Sequence, residues 1–177
     1  MAFNWQTFWT RAFTALIFVA VMMTGLLFNN WSFLLLFSVI HFGCWWEYFR
    51  LIEKITKTPI HPYAQLGWSL IGFHIVLFLV GNQVKIGNYG LQHNFSLPVL
   101  AAGMVLLIWG IFKSVSLTKS VVYRSIIGLV YIAVPVGLIC QIAISSNMNL
   151  VSLSPYFADG AEIVMLIIGS VWLNDTM

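Results

Sequence analysis

The sequence predicts an all-α fold, a polytopic helical membrane protein with about six transmembrane helices, and three observations predict it. Hydrophobic residues make up 60% of the 177 and charged residues only 7%, against roughly 25% charged in an ordinary soluble domain. Too few polar side chains exist to cover a water-exposed surface, so lipid must solvate most of the chain. The apolar residues gather into six runs, each judged against the ~20 residues that a helix needs to cross the hydrocarbon core. Lys and Arg fall between those runs or within about a turn of their ends, with a strong bias to alternate loops, as topology signals do. No repeat or low-complexity linker divides the chain, so residues 1–177 read as one transmembrane helical domain.

The opening stretch MAFNWQTFW places Phe3, Trp5, Phe8 and Trp9 close together and is expected to rest on the membrane surface as an interfacial helix. One Arg precedes the first apolar run and no small-x-small cleavage site follows it, so that run is a retained span. It covers about 12–28, and the Asn29-Asn30 turn makes it an antiparallel hairpin with the second, 31–51. The third and fourth spans run over 62–81 and 97–116. The fifth, 121–144, carries Pro135 in its middle, which frees a backbone carbonyl and kinks the helix. The sixth begins at about 161 and is interrupted by the end of the chain, GSVWLNDTM, from which the natural protein is expected to continue past Met177.

With a cytoplasmic N-terminus, Arg11, Arg50, Lys54, Lys57, Lys113, Lys119 and Arg124 all fall inside and only Lys85 outside. Trp5, Trp9, Trp45, Trp46, Trp68, Trp109 and Trp172 would then lie near the inner interface and Trp31 near the outer one. The sixth helix starts outside, beside Asp159 and Glu162, and delivers Asp175 to the cytoplasmic boundary. The net charge of +3 is dispersed and forms no clustered patch, which argues against nucleic acid as a partner.

Few residues carry chemistry. Asp175, preceded by Asn174 and followed by Thr176, supplies hard oxygen donors suited to Mg²⁺ shared with phosphate groups. A carboxylate at a span end is also cheap to accommodate and can merely mark the exit into water. Glu47 has Arg50 at i+3, within reach of an ion pair on one helix face. His41 and His74 lie deeper in their spans and read as hydrogen-bonded interhelical residues, while His61 and His93 fall in loops with no evident role. Cys44 and Cys140 read as small buried hydrophobes, neither a disulfide nor a zinc site. Gly103, Gly110 and Gly128 suggest close helix contacts. No P-loop, dinucleotide fingerprint or nucleophile–base set is present.

Taken in order, RAFTALIFVAVMMTGLL, WEYFRL, IIGLVYIAVPVGL and VWLNDTM resemble the amino-terminal portion of the bacterial phosphatidate cytidylyltransferase, or CDP-diacylglycerol synthase, family. The last fragment is the most specific, because that family carries Asn-Asp-Thr or a similar triplet at the end of an apolar helix. The resemblance implies a multi-pass protein of the inner (cytoplasmic) membrane that joins CTP and phosphatidic acid into CDP-diacylglycerol and pyrophosphate, with Mg²⁺. It also implies Asp175 as a metal-binding residue and Asn174 as its nucleotide-binding neighbour, with membrane lipid as surroundings and a homodimer left open. The family's Ser-Pro-Lys-Lys-Thr segment and its carboxy-terminal signature do not occur in the 177 residues. The expectation is therefore an amino-terminal part, inactive by itself, of a longer enzyme. Two other readings stay open: a complete small membrane protein acting as transporter subunit or assembly partner, and a CTP-dependent lipid-alcohol kinase.

Overall fold

The computed structural model describes residues 5–81, 84–113, 119–144 and 160–176. Among the described residues, each of the six expected apolar segments falls on a helix. In chain order the elements are α1 (Trp5–Leu27), α2 (Asn30–Thr56), α3 (Pro62–Val80), a two-residue hairpin of β1 (Lys85–Ile86) and β2 (Tyr89–Gly90), and α4 (Leu91–Asn94). They continue with α5 (Ser96–Lys113), α6 (Lys119–Gly128), a π-helical turn (Leu129–Ala133), α7 (Val134–Ile144) and α8 (Gly160–Thr176). Among the described residues, four stretches are long and apolar enough to cross a membrane: Asn30–Thr56, Pro62–Val80, Leu91–Lys113 and Lys119–Ile144. Shorter apolar helical stretches, Phe13–Leu26 and Glu162–Val171, complete the set. The protein is an all-α polytopic membrane protein.

Local chemistry explains the helix boundaries. Asn29 caps α2: its Oδ1 accepts the Ser32 N–H at 2.7 Å, while its own N–H donates to Ser32 Oγ at 3.1 Å, a reciprocal capping box. At the far end Lys57 takes a left-handed φ of 54°, which turns the chain out of the helix. Pro62 sits in the first turn of α3, where its missing N–H costs nothing. His61, expected to be idle, caps that helix by accepting the Tyr63 N–H on Nδ1 at 3.3 Å.

The loop between α2 and α3 is held by Glu53. Its Oε1 accepts the Ile60 N–H at 2.8 Å and the Gln65 amide at 3.1 Å. Bonds to an ionised group contribute roughly 1.5–3 kcal/mol each, so Glu53→Ala is expected to destabilise the protein by about 1–3 kcal/mol. Limited proteolysis would read this as faster cleavage within residues 57–61, and a rate equal to the parent's would show that the loop is held by other means.

Packing among the spans rests on small residues, because lipid-embedded helices gain little from hydrophobic burial against one another. The most extensive pairing joins α3 to α5. A Cβ on Gly67 would lie 2.6 Å from the Leu107 backbone nitrogen, and one on Gly110 would collide with the Ala64 backbone. Gly103 sits 3.1 Å from the Gly67 carbonyl by the same measure, and Gly128 lies 2.6 Å from Tyr48. The expected close contacts at Gly103, Gly110 and Gly128 are all present. Among the described residues, apolar clusters form around Phe33, Phe37, Val76 and Cys140 and around Trp45, Phe49, Trp68 and Ile132.

Several expectations are corrected. Trp5 and Trp9 stand on the first turns of a continuous α1, so the opening from Trp5 onward is not a separate interfacial helix; Phe3 and the side chain of Phe8 lie outside the described residues. Trp45 is 0% exposed and Trp68 9%, so both are packed protein core and not interfacial anchors. Trp31, Trp46 and Trp109 are exposed, as interfacial indoles are. The kink expected at Pro135 takes the form of the wide turn just before it, in which the Val134 N–H reaches back to the Leu129 carbonyl. Proline has no N–H for the carbonyl of Tyr131, and a wide turn absorbs that lost bond. The hairpin around Gly87-Asn88 and the short helix containing His93 were not anticipated. Ser116 and Asp159, together with the side chains of Arg11, Trp172 and Asp175, lie outside the described residues.

Candidate functional site

Alternation of the helices gives the bundle a basic end and an opposite end. α1 starts at the basic end, α2 returns there, α3 leaves it, α5 comes back with Lys113, α6 leaves it with Lys119 and Arg124, and α8 arrives there last. A Cβ on Gly160 would collide with the Ile142 carbonyl, so the start of α8 is pressed against the far end of α7, and α8 must run back toward the basic end. Lys85 stands in the hairpin at the opposite end.

Asn174 and Asp175 occupy the last turn of α8, adjacent in sequence, with Asn174 exposed. The side chain of Asp175 lies outside the described residues, so the sequence alone speaks for its ligand chemistry. Among the described residues no three His, Cys, Asp or Glu side chains come together as a metal cluster. Asn and Asp side chains offer oxygen donors, the kind that Mg²⁺ takes, since it keeps several waters and one or two carboxylates together with substrate phosphates.

A second group of charged side chains gathers at the same end on α2. Glu47, Arg50 and Lys54 are exposed there. Among the described residues the expected Glu47–Arg50 ion pair does not form; the Arg50 guanidinium lies over the Trp46 ring, 5.2 Å from its centroid. This is a cation–π contact that an apolar surrounding strengthens. Glu47 and Arg50 instead line a common hollow of about 610 Å³ with Lys54, facing Tyr131 and Ile132 of the wide turn. Sequence reasoning missed this hollow, and only Pro135 hinted that the fifth span was irregular beside it.

The histidines behave as expected of interhelical residues. The buried His41 donates from Nε2 to the Ser69 carbonyl at 3.1 Å, tying α2 to α3. His74 donates from Nδ1 to the Ser96 carbonyl at 2.9 Å, tying α3 to α5. His41 Nδ1 and Trp45 Nε1 are buried without a hydrogen-bond partner among the described residues. Tyr48 donates to the Arg124 carbonyl at 2.8 Å and so locks α2 to α6. Cys44 and Cys140 are both free thiols, the first exposed and the second buried.

Charged and polar groups at one end of an apolar bundle can handle an amphiphile whose head is anionic and whose tails stay in lipid. Comparison with known proteins bears on this arrangement. Residues 9–177 match the sequence model of a family described as the cytidylyltransferase family. No curated protein and no solved structure matches the chain.

Proposed function

The chain belongs to the cytidylyltransferase family, and from that premise we propose that it serves as a CTP:phosphatidate cytidylyltransferase of phospholipid synthesis. The family match over residues 9–177 is the observation that carries this reading. The apolar bundle supports a lipid as the second substrate. In the reaction a phosphate oxygen of phosphatidic acid attacks the α-phosphorus of CTP. A new P–O–P bond forms, the bond to the β-phosphate breaks, and pyrophosphate leaves. Negative charge collects on the phosphates as this happens, and cationic groups must offset it.

In this proposal Asp175 holds Mg²⁺ through its carboxylate, and Asn174 adds an amide oxygen or donates to the nucleotide phosphates. The ion, when bound, supplies charge neutralisation at the triphosphate. The side chains of the chain itself position it and keep the head of the lipid at the membrane boundary. Membranes containing the protein at its natural length, given CTP labelled in the α-phosphate, should accumulate label in a CDP-lipid. Label arriving only from the γ-phosphate would identify a lipid-alcohol kinase instead. The 177 residues alone are expected to be inactive, since a transfer between two polyanions needs more than one carboxylate to hold metal and phosphate. Labelled CDP-diacylglycerol made by the purified 177-residue chain would contradict this.

We place the protein in the inner membrane with its N-terminus and basic end cytoplasmic, the side on which CTP is available. Basic residues set orientation when they flank the spans. In a background lacking Cys44 and Cys140, Lys54→Cys and Lys119→Cys are expected to be shielded from a membrane-impermeant thiol reagent in intact cells. Asn88→Cys, exposed in the hairpin turn, is expected to be labelled. The reverse pattern would put Asp175 on the side away from CTP and remove the proposed chemistry.

A further inference from the structure

The hollow beside α2 deepens the proposed reading, whose lipid substrate needs a place to bind in the bundle. At Gly128 the fifth span is pressed onto α2, where an added Cβ would meet Tyr48 at 2.6 Å and Trp45 at 3.0 Å. Immediately beyond, the π-helical turn widens the helix, and Tyr131 is 76% exposed beside the surface of α2. The result is a groove of about 610 Å³ with one wall from Cys44, Tyr48 and Leu51 and the other from Tyr131 and Ile132. Its polarity is graded along the bundle axis. Arg50 and Lys54 stand at the basic end, and deeper in the wall is aromatic and aliphatic except for Cys44 and the carboxylate of Glu47.

We propose that this groove binds a phosphate-headed lipid, with Arg50 and Lys54 on the phosphate and the wall of Leu51, Tyr131 and Ile132 along the upper part of its chains. The gradient runs the way a lipid lies in one leaflet, head at the boundary and chains inward. Arg50 presents a planar fork suited to phosphate oxygens, and Lys54 a movable point charge. Two carboxylates lie near and decide which headgroup fits. Glu53 is turned to the Ile60 N–H and the Gln65 amide, so its charge is engaged elsewhere. Glu47 faces the groove itself. A head must therefore bring a hydrogen for Glu47 as well as negative charge for the two cations. A phosphate monoester does both, since its second proton leaves at a pKa of about 6 and stays in part near neutrality. A phosphodiester lipid such as phosphatidylcholine has no such hydrogen. The placement rests on the membrane reading of the bundle and not on the CTP chemistry, so binding is measured without nucleotide.

The test uses the protein at its natural length, purified in mixed micelles holding equal amounts of phosphatidic acid and phosphatidylcholine, with bound lipid counted by native mass spectrometry. Phosphatidic acid is expected to be enriched. The double change Arg50→Gln, Lys54→Gln should cut the enrichment about tenfold, the size of effect expected from losing charge-assisted bonds. Arg50→Lys should retain most of it. Both positions are exposed on the surface of α2, and helicity and elution volume are checked against the parent. Leu51→Glu, which places a carboxylate in the apolar wall, supplies an independent variant and is also expected to lose the lipid. Unchanged enrichment in the double variant, equal retention of phosphatidylcholine, or displacement by millimolar inorganic phosphate would each overturn the proposal. The last would mark a site for free phosphate. None of these results would touch the transfer reaction, which fails or stands on the CTP label.

Discussion

Asp175→Asn is expected to lower CDP-diacylglycerol formation by about a hundredfold or more in the protein at its natural length, because a hard-cation site depends on anionic oxygen. Asn keeps the size of the side chain and removes the charge that holds the ion against water. Raising Mg²⁺ should recover part of the loss, since a weakened site fills at higher concentration. Membrane insertion and expression should stay at the parental level, because a neutral group at a span end is no harder to accommodate than a charged one. A carboxylate that merely marks the exit of α8 would give a different result. Turnover would then be unchanged at every Mg²⁺ concentration, and Asp175 would have no part in the site. Steady-state rates across a Mg²⁺ titration, with insertion checked by protease protection, separate the two.

Gly67→Ala together with Gly110→Ala should produce a large loss of stability at the contact between α3 and α5. The obstacles are main-chain atoms: the Leu107 nitrogen 2.6 Å from an added Cβ on Gly67, and the Ala64 backbone against one on Gly110. A side chain can rotate away, whereas a helix backbone must move as a whole. Overpacking costs roughly 1–3 kcal/mol per site where side chains yield, so the pair is expected at or above the upper end of that range. The damage would be local to α3 and α5, whose contact both methyls pry open. Gly43 and Gly169 serve as controls, because no atom of the described residues lies within 4 Å of a Cβ at either. Replacing them by Ala should be neutral or slightly stabilising, as removal of a helical glycine is. Thermal unfolding in detergent, followed by fluorescence-detected size exclusion, would read the difference. Equal melting of the α3–α5 pair and the controls would mean that the helices shift apart freely.

The spans were legible in the sequence because lipid imposes a length and a composition at once, and both survive as a continuous apolar run. Their partners were not. In a water-soluble helix the polar face declares which side is outside, but here the lipid-facing and protein-facing sides are equally apolar. Trp45 thus looked like an interfacial anchor when it is core, and nothing in the spacing of Trp45 and Trp46 told the buried one from the exposed one. Gly103, Gly110 and Gly128 were readable because small size at a contact is itself the signal. Glu47 and Arg50 had pairing distance on a helix, yet Trp46 offered the guanidinium a better surface. The strands at Lys85–Ile86 and Tyr89–Gly90 are too short for any periodicity to register. Asn174 and Asp175 are proposed from donor chemistry and family resemblance, while the groove beside α2 depends on a backbone irregularity that residue types do not encode.

The wide turn before Pro135 has one more effect, on rotational phase. Val121 and Ile144 are both buried, yet at ~3.6 residues per turn they would stand roughly two-fifths of a turn out of phase on an unbroken helix. A π-helical turn takes up about one surplus residue, and that removes most of the offset. The face that starts with Val121, Ser125 and Gly128 thus continues through Ala133, Gly137 and Cys140. Ironing the turn into regular α-helix would swing one half of the span by about 100° relative to the other, carrying Cys140 and Ile144 out of the interior and into lipid. A chain that keeps both buried faces without the wide turn must be one residue shorter in this span.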